Sequence, residues 1–244
     1  MLSYTITGSL NLPPLIFLHG FLGGKEDWEE VIAELKEDYC CYAFDLPGHG
    51  SSPFEEHLLE SLFLSFCSLK LLPCPVIGYS MGGRLALFLK EYFTEQFKGI
   101  VLLGAHPGLN EAVEKKFRWH QDLNWSSMLE TQPFDAFLEA WYEQPLFVSL
   151  KKQPELYNKI IERRRKQNPL YLASILRNFS LSLQPVLKQF HPDTLFLYGE
   201  EDLKFADLYQ NHLPKTVKKE EINGGHALLL ENPKGVAKKI KEFL

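Results

Sequence analysis

The sequence predicts an α/β protein, a mostly parallel central sheet flanked by helices, with a helical cap inserted ahead of the last strands. Three observations predict it. Short apolar runs at residues 14–19 (PLIFLH), 40–45 (CCYAFD), 75–79 (PVIGY) and 99–104 (GIVLLG) alternate with segments of helical spacing, the pattern of strands buried on both faces. Over 109–190 that pattern gives way to aromatic, helix-spaced text. Strands then resume at 194–198 (TLFLY) and 217–222, and an amphipathic helix over 233–244 follows.

Taken in order, the first helix is expected over 27–35. The second spans 58–71, where Leu58, Leu62, Phe66 and Leu69 recur on one face and Pro73 stops the run. The third, over 81–93, begins directly after the strand ending at Tyr79. Within 109–190, breaks are expected near Pro133, Pro145, Pro154 and Pro169. A chain of 244 residues can bury one large core. Residues 1–108 and 191–244 are therefore read as that core and 109–190 as the cap, a single domain with an insertion.

Composition narrows the function classes. Hydrophobic residues make up 45% and charged residues 23%, inside the globular range. A net charge of −5 gives no global attraction to phosphate backbones or anionic lipid, so neither nucleic acid nor membrane is an expected partner. The first residues, Met1-Leu2-Ser3-Tyr4, lack the basic and apolar regions of a secretory signal, and no apolar run reaches bilayer-spanning length; the expected location is cytoplasmic. Cys40, Cys41, Cys67 and Cys74 form no C-x-x-C pair and have no histidines at zinc-ligand spacing, so buried free thiols are expected, with no metal and no cofactor.

Gly78-Tyr79-Ser80-Met81-Gly82 is a G-x-S-x-G sequence between a predicted strand and a predicted helix. Side chains at either glycine would crowd the sharp bend that lifts a nucleophilic Ser80 above the sheet edge. Serine is a weak nucleophile or base, so it needs a histidine within hydrogen-bond reach and an acid to fix that histidine's tautomer. Asp202 follows the next-to-last predicted strand and His226 follows the last, in the chain order of the α/β-hydrolase fold. Glu200, Glu201 and Asp207 compete as the acid, with Glu201 the alternative to Asp202. After the strand at 14–19, His19-Gly20-Phe21-Leu22-Gly23-Gly24 lets the backbone approach the site, so the Phe21 and Met81 amides are the candidate oxyanion hole. His19, and His49 in the turn Asp45-Leu46-Pro47-Gly48-His49-Gly50, are read as structural.

Taken together, LHGFLGG at 18–24, DLPGHGSS at 45–52, GYSMGGR at 78–84 and GEEDLKF at 199–205 resemble one α/β-hydrolase-fold family, the 2-succinyl-6-hydroxy-2,4-cyclohexadiene-1-carboxylate synthases of menaquinone biosynthesis. His106-Pro107-Gly108, Arg118-Trp119, Trp141-Tyr142-Glu143-Gln144-Pro145 and Arg164 extend the resemblance along most of the chain. It implies a lyase that eliminates pyruvate from an enolpyruvyl cyclohexene carrying three carboxylates. Ser80, His226 and Asp202 would abstract a ring proton, and the Phe21 and Met81 amides would hold the enolate.

A tricarboxylate needs a cationic pocket in an acidic protein, and the planar guanidinium suits carboxylates. Arg84 stands in the first turn of a helix, against the helix dipole, a placement that calls for a ligand-related reason. The resemblance adds Arg118 and Arg164 as carboxylate ligands and Tyr79 and Trp141 as pocket walls, while Arg163 and Arg165 would point elsewhere. Other charges of the basic stretch 151–166 are expected to be solvated.

Two rivals accompany this reading: a carboxylesterase or thioesterase acting through an acyl-serine, and a non-catalytic receptor on the same fold. A dehalogenase would need a carboxylate at position 80. The expected partner is a small-molecule tricarboxylate, bound by a monomer or weak homo-oligomer.

Overall fold

A computed structural model describes all 244 residues. Seven strands form one sheet in the order β1-β3-β2-β4-β5-β6-β7. They are β1 (Tyr4–Thr7), β2 (Pro14–Leu18), β3 (Cys40–Phe44), β4 (Cys74–Tyr79), β5 (Phe97–Leu103), β6 (Thr194–Gly199) and β7 (Lys218–Ile222). β1 is antiparallel to β3, and every other pair is parallel.

Side chains alternate between two cores, as the pleat requires. Ile16, Leu18, Val76, Ile100 and Leu102 enter one cluster, while Leu15, Phe17, Ile77, Val101 and Leu103 enter the other. Helices α2 (Leu58–Ser68) and α3 (Met81–Tyr92) cover the first face. The second is covered by α1 (Glu29–Ala33), α10 (Leu228–Glu231) and α11 (Pro233–Phe243).

Five helices lie between β5 and β6: α4 (Ala112–Thr131), α5 (Phe134–Tyr142), α6 (Val148–Lys151), α7 (Pro154–Arg164) and α8 (Pro169–Asn178). They share a third core that includes Phe137, Tyr142, Leu172 and Leu176. Pro154 and Pro169 occupy first turns, where a missing N–H costs nothing, so these prolines start helices as well as separate them. Helix α9 (Leu203–Asp207) follows β6.

The structure departs from the sequence reading in four places. β1 is an edge strand of four half-exposed residues and carries no apolar run to announce it. The first helix is split, a 3-10 turn at Lys25–Trp28 preceding α1. α2 ends at Ser68, where Lys70 turns left-handed (φ 56°), so the stop precedes Pro73. Cys67 is exposed, unlike the other three thiols.

Strand order reverses between β2 and β4, so the loops leaving their carboxyl ends part and open a crevice, the position where open α/β sheets bind ligands. The bend closing β4 is tightly packed. A Cβ on Gly82 would lie 2.3 Å from the Leu18 carbonyl oxygen, and one on Gly78 2.5 Å from that of Gly82. Gly82→Ala should therefore cost about 3 kcal/mol or more, read by urea unfolding, because the obstacle is backbone rather than a mobile side chain.

Candidate functional site

Ser80 sits at the bend with φ 49° and ψ −108°, a strained left-handed conformation for a residue with a side chain. Its N–H donates to the Leu103 carbonyl at 2.8 Å, pinning the bend to the end of β5. Met81 is the first residue of α3, so its N–H has no acceptor within the helix. Phe21, in the loop after β2, and Met81 line the same cavity as Ser80.

Asp202, after β6, accepts a 2.7 Å hydrogen bond from Nδ1 of His226, after β7, and both side chains are buried. This leaves Nε2 as the ring nitrogen available to Ser80. Gly104, with φ 54°, makes room for the imidazole: a Cβ there would come within 2.7 Å of His226 Cε1. Glu201, the competing acid, pairs instead with Lys152 on the exterior.

Two lobes meet at Ser80. The larger, about 210 Å³, is lined by Phe21, Ser80, Met81, Arg84, His106, Arg118, Gln121, Trp141, Gln144, Lys204 and His226, among others. A smaller lobe of about 60 Å³ shares Phe21, Ser80, Trp141 and His226 and adds Asp27, Tyr79, Tyr142 and Arg164. Helices α4, α5 and α8 roof the larger lobe through Trp125, Trp141 and Ile175.

The larger lobe is strongly cationic. Arg84 is buried, stacks 4.7 Å over the Phe179 ring and donates one Nη2 bond to the Phe179 carbonyl at 3.2 Å; its Nη1 has no partner. Burial, then repulsion from Arg118, pull the guanidinium down to about 9. Burial and Arg118 also lower Lys204. His106 is pushed down to about 3 by burial and by Lys204, Arg84 and Arg118, so it is neutral at ordinary pH. Arg118 has one compensating acid, Asp122, which accepts from its Nε at 2.8 and 2.9 Å. Three cations facing one acid leave an excess of positive charge that an incoming anion would relieve.

Arg164 differs from the expectation drawn from resemblance. Nη1 and Nη2 donate to the two Asp27 oxygens at 2.9 and 2.7 Å, and Nε donates to Tyr142 Oη at 3.2 Å. With these donors committed inside the protein, Arg164 lines the smaller lobe and does not converge with Arg84 and Arg118. Arg163 pairs with Glu29 and comes within 3.9 Å of Asp27, and Arg165 reaches Asp135 and Glu162; neither lines the cavity.

Gln167, just beyond α7, donates to the Gly23 carbonyl at 2.7 Å and accepts from the Gly50 N–H at 2.8 Å. The end of α7 thus clamps the loop that carries Phe21. Tyr79 packs against the His226 ring at 5.3 Å and Trp141 against Phe21 at 5.0 Å, both as lobe walls.

His19 lies beneath the site. Its Nδ1 donates to the Gly20 carbonyl at 2.7 Å and its Nε2 accepts from the Leu46 N–H at 3.0 Å, tying two turns together. His49 is buried beside it, and burial and His19 push it down to about 3.

Sequence reading did not single out Lys204, Gln121, Gln144, Gln167 or Asp27. Lys204 carried a usable signal, standing two residues beyond Asp202 in the first turn of α9, which Asp202 caps. Asp27 and Gln167 carried none, because their partners lie 137 and 117 residues away.

A serine bend on a mostly parallel sheet, sharing a cavity with an Asp-supported histidine at the carboxyl edge, defines the class as the α/β-hydrolase fold. The alpha/beta hydrolase family model matches residues 15–239. An Enterobacter sp. (strain 638) 2-succinyl-6-hydroxy-2,4-cyclohexadiene-1-carboxylate synthase is 33% identical over 98% of this chain and 95% of its own. The Escherichia coli (strain SMS-3-5 / SECEC) enzyme of the same name is 32% identical over 97% and 96%. MenH from S. aureus superposes with a TM-score of 0.91 at 26% identity, covering 100% and 98% of the two chains. The chain belongs to the family of 2-succinyl-6-hydroxy-2,4-cyclohexadiene-1-carboxylate synthases within the alpha/beta hydrolases.

Two predictions follow from the buried charges. Arg164→Met leaves the buried Asp27 carboxylate with only Arg163 at 3.9 Å and the Gly24 N–H at 3.4 Å and should cost about 3 kcal/mol in urea unfolding; a loss under about 1 kcal/mol would show that the pair is replaceable. His49 and His106 are neutral in the fold down to about pH 3 but take protons in the unfolded chain below about 6.5. Their contribution is therefore present above pH 6.5 and lost as pH falls from 6.5 toward 3. His106→Asn, which keeps an acceptor for the Gly108 N–H, should reduce the pH slope of stability by up to about 1.4 kcal/mol per unit in that window.

Proposed function

We propose that this protein is a 2-succinyl-6-hydroxy-2,4-cyclohexadiene-1-carboxylate synthase, a lyase that eliminates pyruvate from 2-succinyl-5-enolpyruvyl-6-hydroxy-3-cyclohexene-1-carboxylate. The observation that carries the reading is the net positive lobe beside Ser80, where Arg84, Arg118 and Lys204 face a single acid, Asp122, and Arg84 has no carboxylate partner of its own. An uncharged ester has no use for it, whereas a tricarboxylate does.

In this mechanism Ser80 Oγ gives its proton to Nε2 of His226 and takes the ring proton beside the succinyl ketone. Asp202 holds the imidazole tautomer and stabilises the imidazolium that forms. Electrons from the broken C–H bond move to the ketone oxygen, and the Phe21 and Met81 amides stabilise this enolate. As the enolate collapses, a double bond forms between ring carbons 2 and 3, the existing one shifts to carbons 4 and 5, and the C5–O bond to the enolpyruvyl group breaks. The departing enolate takes the proton held on Nε2 of His226 and leaves as pyruvate; Ser80 already carries the ring proton, so the site is restored. No acyl-enzyme is formed. Arg84, Arg118 and Lys204 bind carboxylates, Trp141 and Tyr79 wall the lobes, and Arg164 acts through Asp27 on the loop bearing Phe21.

Pyruvate release from the enolpyruvyl substrate, followed by a lactate dehydrogenase couple, tests the reading. Absence of release together with brisk ester hydrolysis would establish an esterase instead. Ser80→Ala should lower kcat by about 100-fold or more, and an unchanged rate would remove Ser80 from the mechanism. Arg84→Leu should raise KM at least about 10-fold while stabilising the unliganded protein by about 1–4 kcal/mol, because it removes a buried charge that only the ligand compensates. Loss of stability with unchanged KM would make Arg84 structural.

A further inference from the structure

Glu231, the last residue of α10, has no part in the chemistry above, yet its carboxylate is spent on the segment that carries His226. Oε2 accepts from the Gly225 N–H at 2.8 Å and Oε1 from the Ala227 N–H at 3.1 Å, so the two amides flanking His226 are held by one side chain. Oε2 also accepts from the hydroxyl of buried Ser149, which belongs to α6 in the segment between β5 and β6. Gly225 is what lets Ser149 in: a Cβ there would lie 2.5 Å from Ser149 Cβ and 3.0 Å from Glu231 Oε2.

We propose that Glu231 is a positioning residue, which fixes the backbone of His226 and couples it through Ser149 to α6, whose Leu150 lines the smaller lobe. The physical reason is local. Strand β7 ends at Ile222, and Gly224 (φ 132°) and Gly225 give the loop little stiffness of its own. Backbone N–H groups bound to a carboxylate make charge-assisted hydrogen bonds, stronger than the loop's alternatives in water. Asp202 orients the imidazole from the side-chain end, and Glu231 does so from the main-chain end. A small displacement of a base's partner can cost large factors in rate without altering substrate binding.

The proposal rests on His226 being the partner of Ser80, and His226→Ala tests that separately. Glu231→Gln keeps the shape but replaces one acceptor oxygen by a donor, so one flanking amide loses its partner. It should lower kcat by about 10- to 100-fold with KM changed less than about two-fold. It should also broaden the downfield proton resonance of the His226–Asp202 hydrogen bond, a signal that His226→Ala abolishes. Ser149→Ala, which leaves both amides paired, should lower kcat about three-fold with the same KM. If His226→Ala is inactive while Glu231→Gln keeps wild-type kcat and an unchanged resonance, the positioning role is wrong and the mechanism stands. If His226→Ala retains full activity, the mechanism itself fails. Should Glu231→Gln not fold, Ser149→Ala decides alone, and an unchanged kcat overturns the proposal.

Discussion

Turning the chain from the end of β4 into α3 within one residue is possible only because Gly78 and Gly82 leave space that backbone atoms of Leu18 and Gly82 would otherwise contest. That turn forces Ser80 into a left-handed conformation and sets its side chain at the carboxyl edge of the sheet. Everything else in the site is arranged around this fixed point. The neighbouring strand β2 delivers Phe21, the turn itself frees the Met81 amide, and one turn further along α3 stands Arg84. The strain is held by packing from both sheet cores, and the hydrogen bond from Ser80 N–H to Leu103 ties the bend to the next strand.

Polar groups of the site divide into two kinds. Asp45, His19, Asp27, Arg164 and Gln167 are satisfied within the protein, and they hold the turns after β2 and β3 in register with the roof. Arg84 is instead left buried beside Arg118 with one Nη unpaired, a state that costs folding free energy until an anion arrives, while Lys204 adds positive charge from the exposed rim. Proteins commonly carry such local costs where they bind ligands.

Much of the fold was legible because its signals are local. Five strands announced themselves as apolar runs, since strands buried on both faces have no polar side to interrupt them, while β7, KKEEI, is a polar edge strand. β1 escaped because an edge strand of half-exposed residues has no such run. Ser80, Asp202 and His226 could be read from a tight motif and from chain order. Arg84 stood out by opposing the helix dipole. Arg164 was legible as an arginine but not as the partner of Asp27, because a pair 137 residues apart leaves no spacing to read. Lys204 and Glu231 look like solvated charge until the structure shows one beside the cavity and the other on the amides flanking His226.

The central claim is that an unpaired guanidinium one turn from Ser80 waits for a carboxylate. Thermal unfolding of the wild type and of Arg84→Leu, each titrated with 2-succinylbenzoate and with its neutral dimethyl ester, tests this most directly. The diacid should raise the wild-type Tm by several degrees at about 100 times its Kd, less at high salt, and the ester should not. In Arg84→Leu the shift at the same ligand concentration should fall to about half or less. Equal shifts in both proteins, or from both ligands, would contradict the claim.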